Sequence, residues 1–231
     1  SFNGKTADWS LAQGSALINS GYSNSSSLPI PSLDYSGNSR IFNGRIDIGA
    51  IENQEAITAP CTIAANTQWE ADTIHISCDV TIDPSYTLTI KPGTTVLFDG
   101  FYSINVDGTI NATGTPNDRI DFLINDTTGF WDSTSTAGGW NGINFNSNLI
   151  TNDSSKFYYC TFSFAKAAGT SYQEKMGAAM YIYNSPKIVI ENSIFANNFA
   201  SDRAGALYLE SSNIIFRNNI VANNQVVNYG G

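Results

Sequence analysis

The sequence predicts an all-β chain wound as a right-handed parallel β-helix, a solenoid in which short strands stack coil upon coil. Three observations predict it. Short runs alternate apolar and polar residues with period 2, and none shows helical periodicity. A unit of 26–28 residues recurs in the second half of the chain, too short to bury a face alone and so obliged to stack on its neighbours. Asn-Gly pairs occur at Asn3-Gly4, Asn43-Gly44 and Asn141-Gly142, but none lies between two matched alternating strands, as the hairpins of a barrel or sandwich would require.

In residues 58–231 the runs follow one another closely. Ile74-His-Ile76, Val80-Thr-Ile82, Leu88-Thr-Ile90 and Ile104-Asn-Val106 each put apolar side chains on one face and polar ones on the other. Pro84, Pro92-Gly93, Gly108 and Gly114 mark the turns between them. Residues 125–139 form a polar stretch longer than most connections. It carries Phe130 and Trp131, whose rings suit the apolar face of a sugar; the alternative is that both lie over the helix side and cover core. Trp140 opens a strand-like run and is assigned to packing.

The repeat begins as a diverged copy from Trp140-Asn-Gly-Ile-Asn-Phe145 to Phe157-Tyr-Tyr-Cys-Thr-Phe162. It continues with Gly177-Ala-Ala-Met-Tyr-Ile182 and Ile188-Val-Ile-Glu-Asn-Ser-Ile-Phe-Ala-Asn-Asn198, then Gly205-Ala-Leu-Tyr-Leu209 and Ile214-Ile-Phe-Arg-Asn-Asn-Ile-Val-Ala-Asn-Asn224. The glycines are offset by 28 residues and the Asn-Asn pairs by 26. Equivalent residues of stacked coils lie about 4.7–4.9 Å apart. That spacing sets Asn192 over Asn218 and Asn197-Asn198 over Asn223-Asn224, as hydrogen-bonded amide ladders. It sets Glu191 over Arg217 as an outward ion pair, with Ile190 over Phe216 and Ile194 over Ile220 in the core.

Composition narrows the function classes. The chain has 231 residues, of which 72 are Asn, Ser or Thr, and a formal charge of −9. Only 13% is charged, roughly half the usual share. At 42% hydrophobic there is material for a core, which excludes wholesale disorder. Basic residues are few and scattered, which argues against nucleic acid as a partner. No run of about 18 apolar residues is present, so membrane insertion is not expected. Cys61 and Cys78 are close in sequence and would close a small loop in an oxidising compartment, but spacing leaves their pairing open. Cys160 sits in an apolar run and reads as a buried small hydrophobe. The chain starts at Ser1 without a Met or a basic leader, as a mature product or an excised piece would.

Several segments resemble a known family. Asp72-Thr-Ile-His-Ile76, Leu88-Thr-Ile-Lys-Pro-Gly-Thr94, Val96-Leu-Phe98, Ile104-Asn-Val-Asp-Gly108, Ala112-Thr-Gly-Thr115 and Trp140-Asn-Gly-Ile143 resemble the opening coils of secreted bacterial right-handed β-helix proteins of the pectate-lyase-like superfamily. Gly14-Ser-Ala-Leu-Ile-Asn-Ser-Gly21, Asp34-Tyr-Ser-Gly-Asn-Ser-Arg40 and Arg45-Ile-Asp-Ile-Gly-Ala-Ile-Glu52 resemble the segment that closes such helices. Residues 1–57 therefore read as a closing or capping segment, and 58–231 as a β-helix unfinished at its C-terminal end. The resemblance is specific for fold and weak for activity.

Polysaccharide lyases on this scaffold, as the resemblance implies, use a Lys or Arg base beside calcium-binding carboxylates. The candidates are Lys156, Lys166, Lys175, Lys187, Arg203 and Arg217, and no acidic cluster falls beside them in the repeat register. A hydrolase needs two carboxylates about 5–9.5 Å apart; Asp118 with Asp121, or Asp79 with Asp83, are the nearest pairs and read more simply as turn formers. The same oxygens leave weak calcium binding open, without any dedicated spacing for it. His75, the one histidine, reads as a solvated strand residue. Asn24, Asn111, Asn125 and Asn152 head Asn-x-Ser/Thr sequons.

The expectation is thus a non-catalytic extracellular or cell-surface adhesion or structural module. Polysaccharide is its expected ligand, met at Phe130 and Trp131, with no cofactor. The alternatives are a polysaccharide-active enzyme, a lyase or glycoside hydrolase, with its groove on the β-helix, and a head-to-tail filament subunit joined through its N-terminal segment. The expected partners are copies of itself through the unfinished helix ends, or neighbouring domains of a longer chain.

Overall fold

The computed structural model describes residues 11, 15–17, 20–21, 31–37, 40–41, 46–52, 56–146, 154–185 and 187–229. Asn3-Gly4, Asn43-Gly44, the sequons at Asn24 and Asn152, and parts of the 14–21, 34–40 and 45–52 motifs lie outside them. The chain divides into two units, residues 1–56 and 57–231.

The larger unit is a parallel β-helix, as the alternating runs predict. Its first strands are β1 (Ala56–Thr58), β2 (Thr62–Ile63), β3 (Thr67–Trp69), β4 (Thr73–Ile76), β5 (Val80–Ile82) and β6 (Thr87–Ile90). Next come β7 (Thr95–Phe98), β8 (Ile104–Val106), β9 (Thr109–Thr113), β10 (Ile120–Ile124), β11 (Ile143–Phe145) and β12 (Ser155–Tyr158). The later coils hold β13 (Cys160–Ser163), β14 (Lys166–Ala167), β15 (Met180–Tyr183), β16 (Ile188–Glu191) and β17 (Ile194–Ala196). They end with β18 (Phe199–Ala200), β19 (Leu207–Glu210), β20 (Ile214–Arg217), β21 (Ile220–Ala222) and β22 (Gln225–Val226).

Each coil contributes one strand to each of three sheets. These run β1-β4-β7-β10-β13-β17-β21, β2-β5-β8-β11-β15-β19 and β3-β6-β9-β12-β16-β20. A fourth small sheet, β14-β18-β22, is added only after the long connection between β10 and β11. All pairs in the recorded registers are parallel, so each inward side chain lies over its counterpart one coil away. One such row is Ile74, Val96, Phe122, Phe162, Phe195 and Val221. Its rings stack at 4.9 Å between Phe122 and Phe162 and 4.6 Å between Phe162 and Phe195. A second row runs Trp69, Ile90, Ala112, Phe157, Ile190 and Phe216.

Two expected registers need correction. In β17 it is Phe195 that points inward, while Ile194 is only half-buried. The pair Ile194 and Ile220 therefore lies on the outer pleat, and Phe195 over Val221 continues the core. The glycines Gly177 and Gly205 are not equivalent either. Met180 pairs with Leu207, an offset of 27, which aligns Gly177 with Ala204. Both of those residues hold positive φ, +63° and +53°, so the shared feature is a left-handed turn rather than a glycine.

The asparagine repeats divide into two roles. The first residue of each pair takes the left-handed conformation that Asn tolerates: Asn192 (+54°), Asn218 (+56°), Asn197 (+59°) and Asn223 (+56°). The next residue bonds the neighbouring coil. Asn198 Oδ1 accepts from Ala165 N (2.9 Å), and Asn224 Oδ1 accepts from Asn198 N (3.0 Å) and Nδ2 (2.8 Å). Ser193 Oγ likewise accepts from Cys160 N (3.1 Å), and Asn219 Oδ1 from Ser193 N (2.8 Å). The expected ladder exists at Asn198–Asn224, whereas Asn192 and Asn218 serve the backbone bend.

Other expectations are settled directly. Glu191 and Arg217 pair across β16 and β20, with Oε1 and Nη2 2.8 Å apart. Cys61 and Cys78 form a disulfide that joins the first two coils. Cys160 is fully buried, and desolvation pushes its thiol far above the ordinary range. Trp140 is buried against Phe98 at 4.4 Å and donates from Nε1 to Ser163 O (2.8 Å).

The smaller unit contains a polar knot drawn from residues 34–40 and 45–52. Arg40 Nη1 meets the buried Glu52 carboxylate at 3.3 Å, and Arg40 Nη2 donates to Gly49 O at 2.7 Å. Glu52 Oε1 accepts from Asp47 N (2.9 Å), and Asp34 Oδ2 accepts from Glu52 N (2.9 Å).

Asn198→Ala is expected to strand the Ala165 N–H and the Phe162 carbonyl, which accepts from Asn198 Nδ2 at 3.0 Å. The loss is about 1–3 kcal/mol of unfolding free energy in urea titration. An unchanged midpoint would mean that water replaces the amide.

Candidate functional site

The long connection at 125–139 is an ordered loop built on local turns. Asp126 Oδ1 accepts from Thr128 N (2.8 Å), and Asp132 Oδ1 accepts from Thr134 N (2.9 Å) and Oγ1 (2.7 Å). The threonine side chains, then the backbone N–H groups, hold both carboxyls below their usual range. Lys166 of β14 fastens the loop from beneath. Its buried Nζ donates to Gly129 O (2.9 Å) and Ala137 O (2.8 Å), with the Phe130 and Phe199 rings each 6.0 Å away. Burial lowers the lysine's proton affinity, and the Asp132 charge opposes that. A Cβ on Gly139 would lie 2.2 Å from Lys166 Cβ, so the chain can return over the lysine only at a glycine.

The two aromatic residues of this loop are placed differently. Phe130 is 3% exposed, edge-on to Phe164 (5.4 Å) and Phe199 (6.2 Å), and covers core as the alternative reading held. Trp131 is 51% exposed and stands edge-on to Phe130 (4.7 Å) and Phe199 (5.9 Å). Of the two rings, only Trp131 is open to solvent.

A second loop, 168–179, lies between β14 and β15 and was not singled out by the sequence. Its one 3-10 turn, Gln173–Lys175, is held by Glu174, whose Oε2 accepts from Thr170 N (3.1 Å) and Ser171 N (2.9 Å). These bonds, Ser171's foremost, keep the Glu174 carboxyl below its usual range. On one side lies an open groove of about 700 Å³, lined among others by Ser133, Thr134, Tyr172, Lys175, Asp202 and Asn228. Beside it the Arg203 guanidinium sits between the exposed rings of Tyr172 (5.6 Å) and Tyr229 (5.4 Å). On the other side is a smaller groove of about 280 Å³ over β8, β11 and β15.

The remaining candidates are scattered. Lys156 pairs in register with Val189, so Lys187 is offset from it by two residues. Arg217 is committed to Glu191. Asp79 Oδ1 accepts from Ser103 N (2.8 Å) and Oγ (2.9 Å), while Asp83 and Asp118 occupy turns closed by their backbone groups. Asp121 lies on the outer pleat of β10. His75 has an acidic neighbour that the sequence did not reveal: its Nδ1 is 2.8 Å from Asp99 Oδ1. That contact joins β4 to the end of β7 one coil away, which only the strand register exposes. Asn111 is half-buried in β9, and Asn125 is exposed at the start of the loop. No group of three or more His, Cys, Asp or Glu able to hold a metal occurs among the described residues. No helix among them is long and apolar enough to cross a membrane.

Lys166→Met keeps the aliphatic stem and removes both donors to the loop. Limited proteolysis within 125–139 is expected to speed up several-fold, because the Gly129 and Ala137 carbonyls lose their buried partner. An unchanged cleavage rate would place the fastening in the Phe130 contacts alone.

No family model, no curated protein and no solved structure matches this chain.

Proposed function

We propose that this chain is a non-catalytic, extracellular glycan-binding module of the secreted, pectate-lyase-like kind, used in adhesion or surface structure. The observation that carries this reading is the 700 Å³ groove with Tyr172 in its wall, together with the half-exposed Trp131 two residues before Ser133 of its lining. Rings offer flat apolar faces to sugar C–H groups, and a few polar groups fix orientation. The groove supplies hydroxyls from Ser133, Thr134 and Thr170, the amide of Asn228, and one charge of each sign from Lys175 and Asp202. Asp126, Asp132 and Glu174 accept hydrogen bonds from their own loops, and each is held below the usual carboxyl range. Such groups build loops; they are poorly matched to proton transfer near neutral pH.

Glycan-array binding followed by calorimetry tests the reading. Trp131→Ala and Tyr172→Ala are each expected to weaken the best ligand by about tenfold, the size of an aromatic anchor, without a change in Tm. Product release from any polysaccharide by the parent chain would favour the enzyme reading instead.

A second reading is favoured by one feature of the last coil. Leu209, Phe216 and Val221 continue inward rows, yet are 48%, 40% and 53% exposed, and among the described residues no strand pairs with the outer edges of β19, β20 and β21. We propose that further β-coil structure, from the same longer chain or from another copy, stacks on this edge. Sedimentation velocity at micromolar concentration separates the two sources. Polymers that Phe216→Asp disperses would mark another copy; monomers at all concentrations would overturn that source.

A further inference from the structure

We infer that the smaller groove, about 280 Å³ on the outer face of β8, β11 and β15, is a subsite for an uncharged sugar ring. It deepens the glycan reading and rests on it for the ligand class. Its floor is one row of the helix: Asn105, Asn144 and Tyr181 pair in register on three successive coils. All three point outward, because Ile104, Ile143 and Met180 beside them are fully buried.

The floor is prearranged by a directional relay. Asn144 Nδ2 donates to Asn105 Oδ1 (3.2 Å), and Asn105 Nδ2 donates to Ser103 Oγ (3.2 Å). Ser103 Oγ in turn donates to Asp79 Oδ1 (2.9 Å). The relay ends on a carboxylate, so each donor is aimed before any ligand arrives, and Asn144 Oδ1 is left as an acceptor at the head. The Tyr181 ring lies parallel to Tyr208 at 5.4 Å and is 5% exposed. Its hydroxyl has no partner among the described residues, whereas Tyr208 donates to Glu210 Oε2 at 2.8 Å. Asn141 and Gln173 add further amides at the rim.

The charge pattern selects the ligand. No Lys, Arg or His stands among the described residues that line this groove, while Asp79 and Glu174 do. A uronate, sulfate or phosphate would meet like charge and no cation, in a chain that is already net −9. A sugar hydroxyl both donates and accepts, which matches amides and a phenol that do the same. The volume is at the small end of ligand sites, suited to a single ring rather than a long chain segment.

Calorimetry on the whole chain, with neutral gluco-, manno-, galacto- and xylo-oligosaccharides and an oligogalacturonate at fixed ionic strength, tests this. A neutral oligosaccharide is expected to bind at least tenfold tighter than the uronate. Tyr181→Phe keeps the stacked ring, and is expected to weaken that binding roughly three- to tenfold with Tm unchanged. Asn144→Ala should do the same, and a residue of binding that depends on Tyr181 should survive Trp131→Ala. If both groove variants bind as the parent does while Trp131→Ala does not bind, the subsite is overturned and the glycan reading stands. Equal or tighter uronate binding also overturns it. No binding of any oligosaccharide by the parent removes both.

Discussion

In-register parallel stacking is the constraint on which the rest of this structure depends. Once strands of successive coils pair in parallel, every side chain has its counterpart directly above and below. Apolar residues then form rows such as Phe122, Phe162 and Phe195, and polar turn residues form columns such as Asn198 and Asn224, which continue onto the Ala165 backbone. A turn in such a helix must satisfy its N–H groups along the axis, because no second strand lies beside it. Side-chain oxygens of Asn and Ser do this, each reaching back one coil to a backbone donor. The bend that makes room for them falls on the preceding residue, in the left-handed region. Asn meets both demands with short polar atoms, and that is the physical reason for its abundance here.

The same rule explains how far the sequence could be read. Period-2 alternation marked four strands of the middle coils nearly to the residue, because each inward position is apolar without exception. It failed at β17, where Ile194, Phe195 and Ala196 are all apolar and the alternation vanishes; only the register shows that Phe195 is inward. It also misaligned Gly177 with Gly205, since identical residues do not guarantee identical backbone. Cross-coil contacts outside the repeat register were invisible. His75 meets Asp99 over 24 residues, and Arg119 reaches Cys160 O (2.7 Å) and Asn192 O (3.0 Å) across two coils. No local motif encodes either. Phe130 and Trp131 were found as a pair because loop length and aromatic content are local properties. Their different burial depends on Lys166, Phe164 and Phe199, which are distant in sequence.

The functional reading follows from where regularity is interrupted. Coils of minimal length leave smooth outer faces, and the two longest interruptions among the described residues, 125–142 and 168–179, flank the short strand β14. One loop is fastened through a buried ammonium and the other through a carboxylate that gathers backbone N–H groups. Both are rigid by construction, so the grooves beside them are preformed. A preformed groove loses less entropy on binding than a loop that must order around its ligand.

The bridge between Cys61 and Cys78 has a consequence for how the helix would come apart. It ties the start of β2 to the start of β5, so the first two coils cannot peel away independently. A stack of this kind otherwise frays from whichever terminal coil has the weaker interface. Here one boundary is covalently pinned, while the other ends on half-solvated Leu209, Phe216 and Val221. With that edge uncovered, opening is expected to be polar, beginning at β19–β22 and travelling toward the crosslink. The two loops beside β14 lie nearer the fraying boundary, so their fidelity as a binding surface is linked to whatever holds the last coil closed.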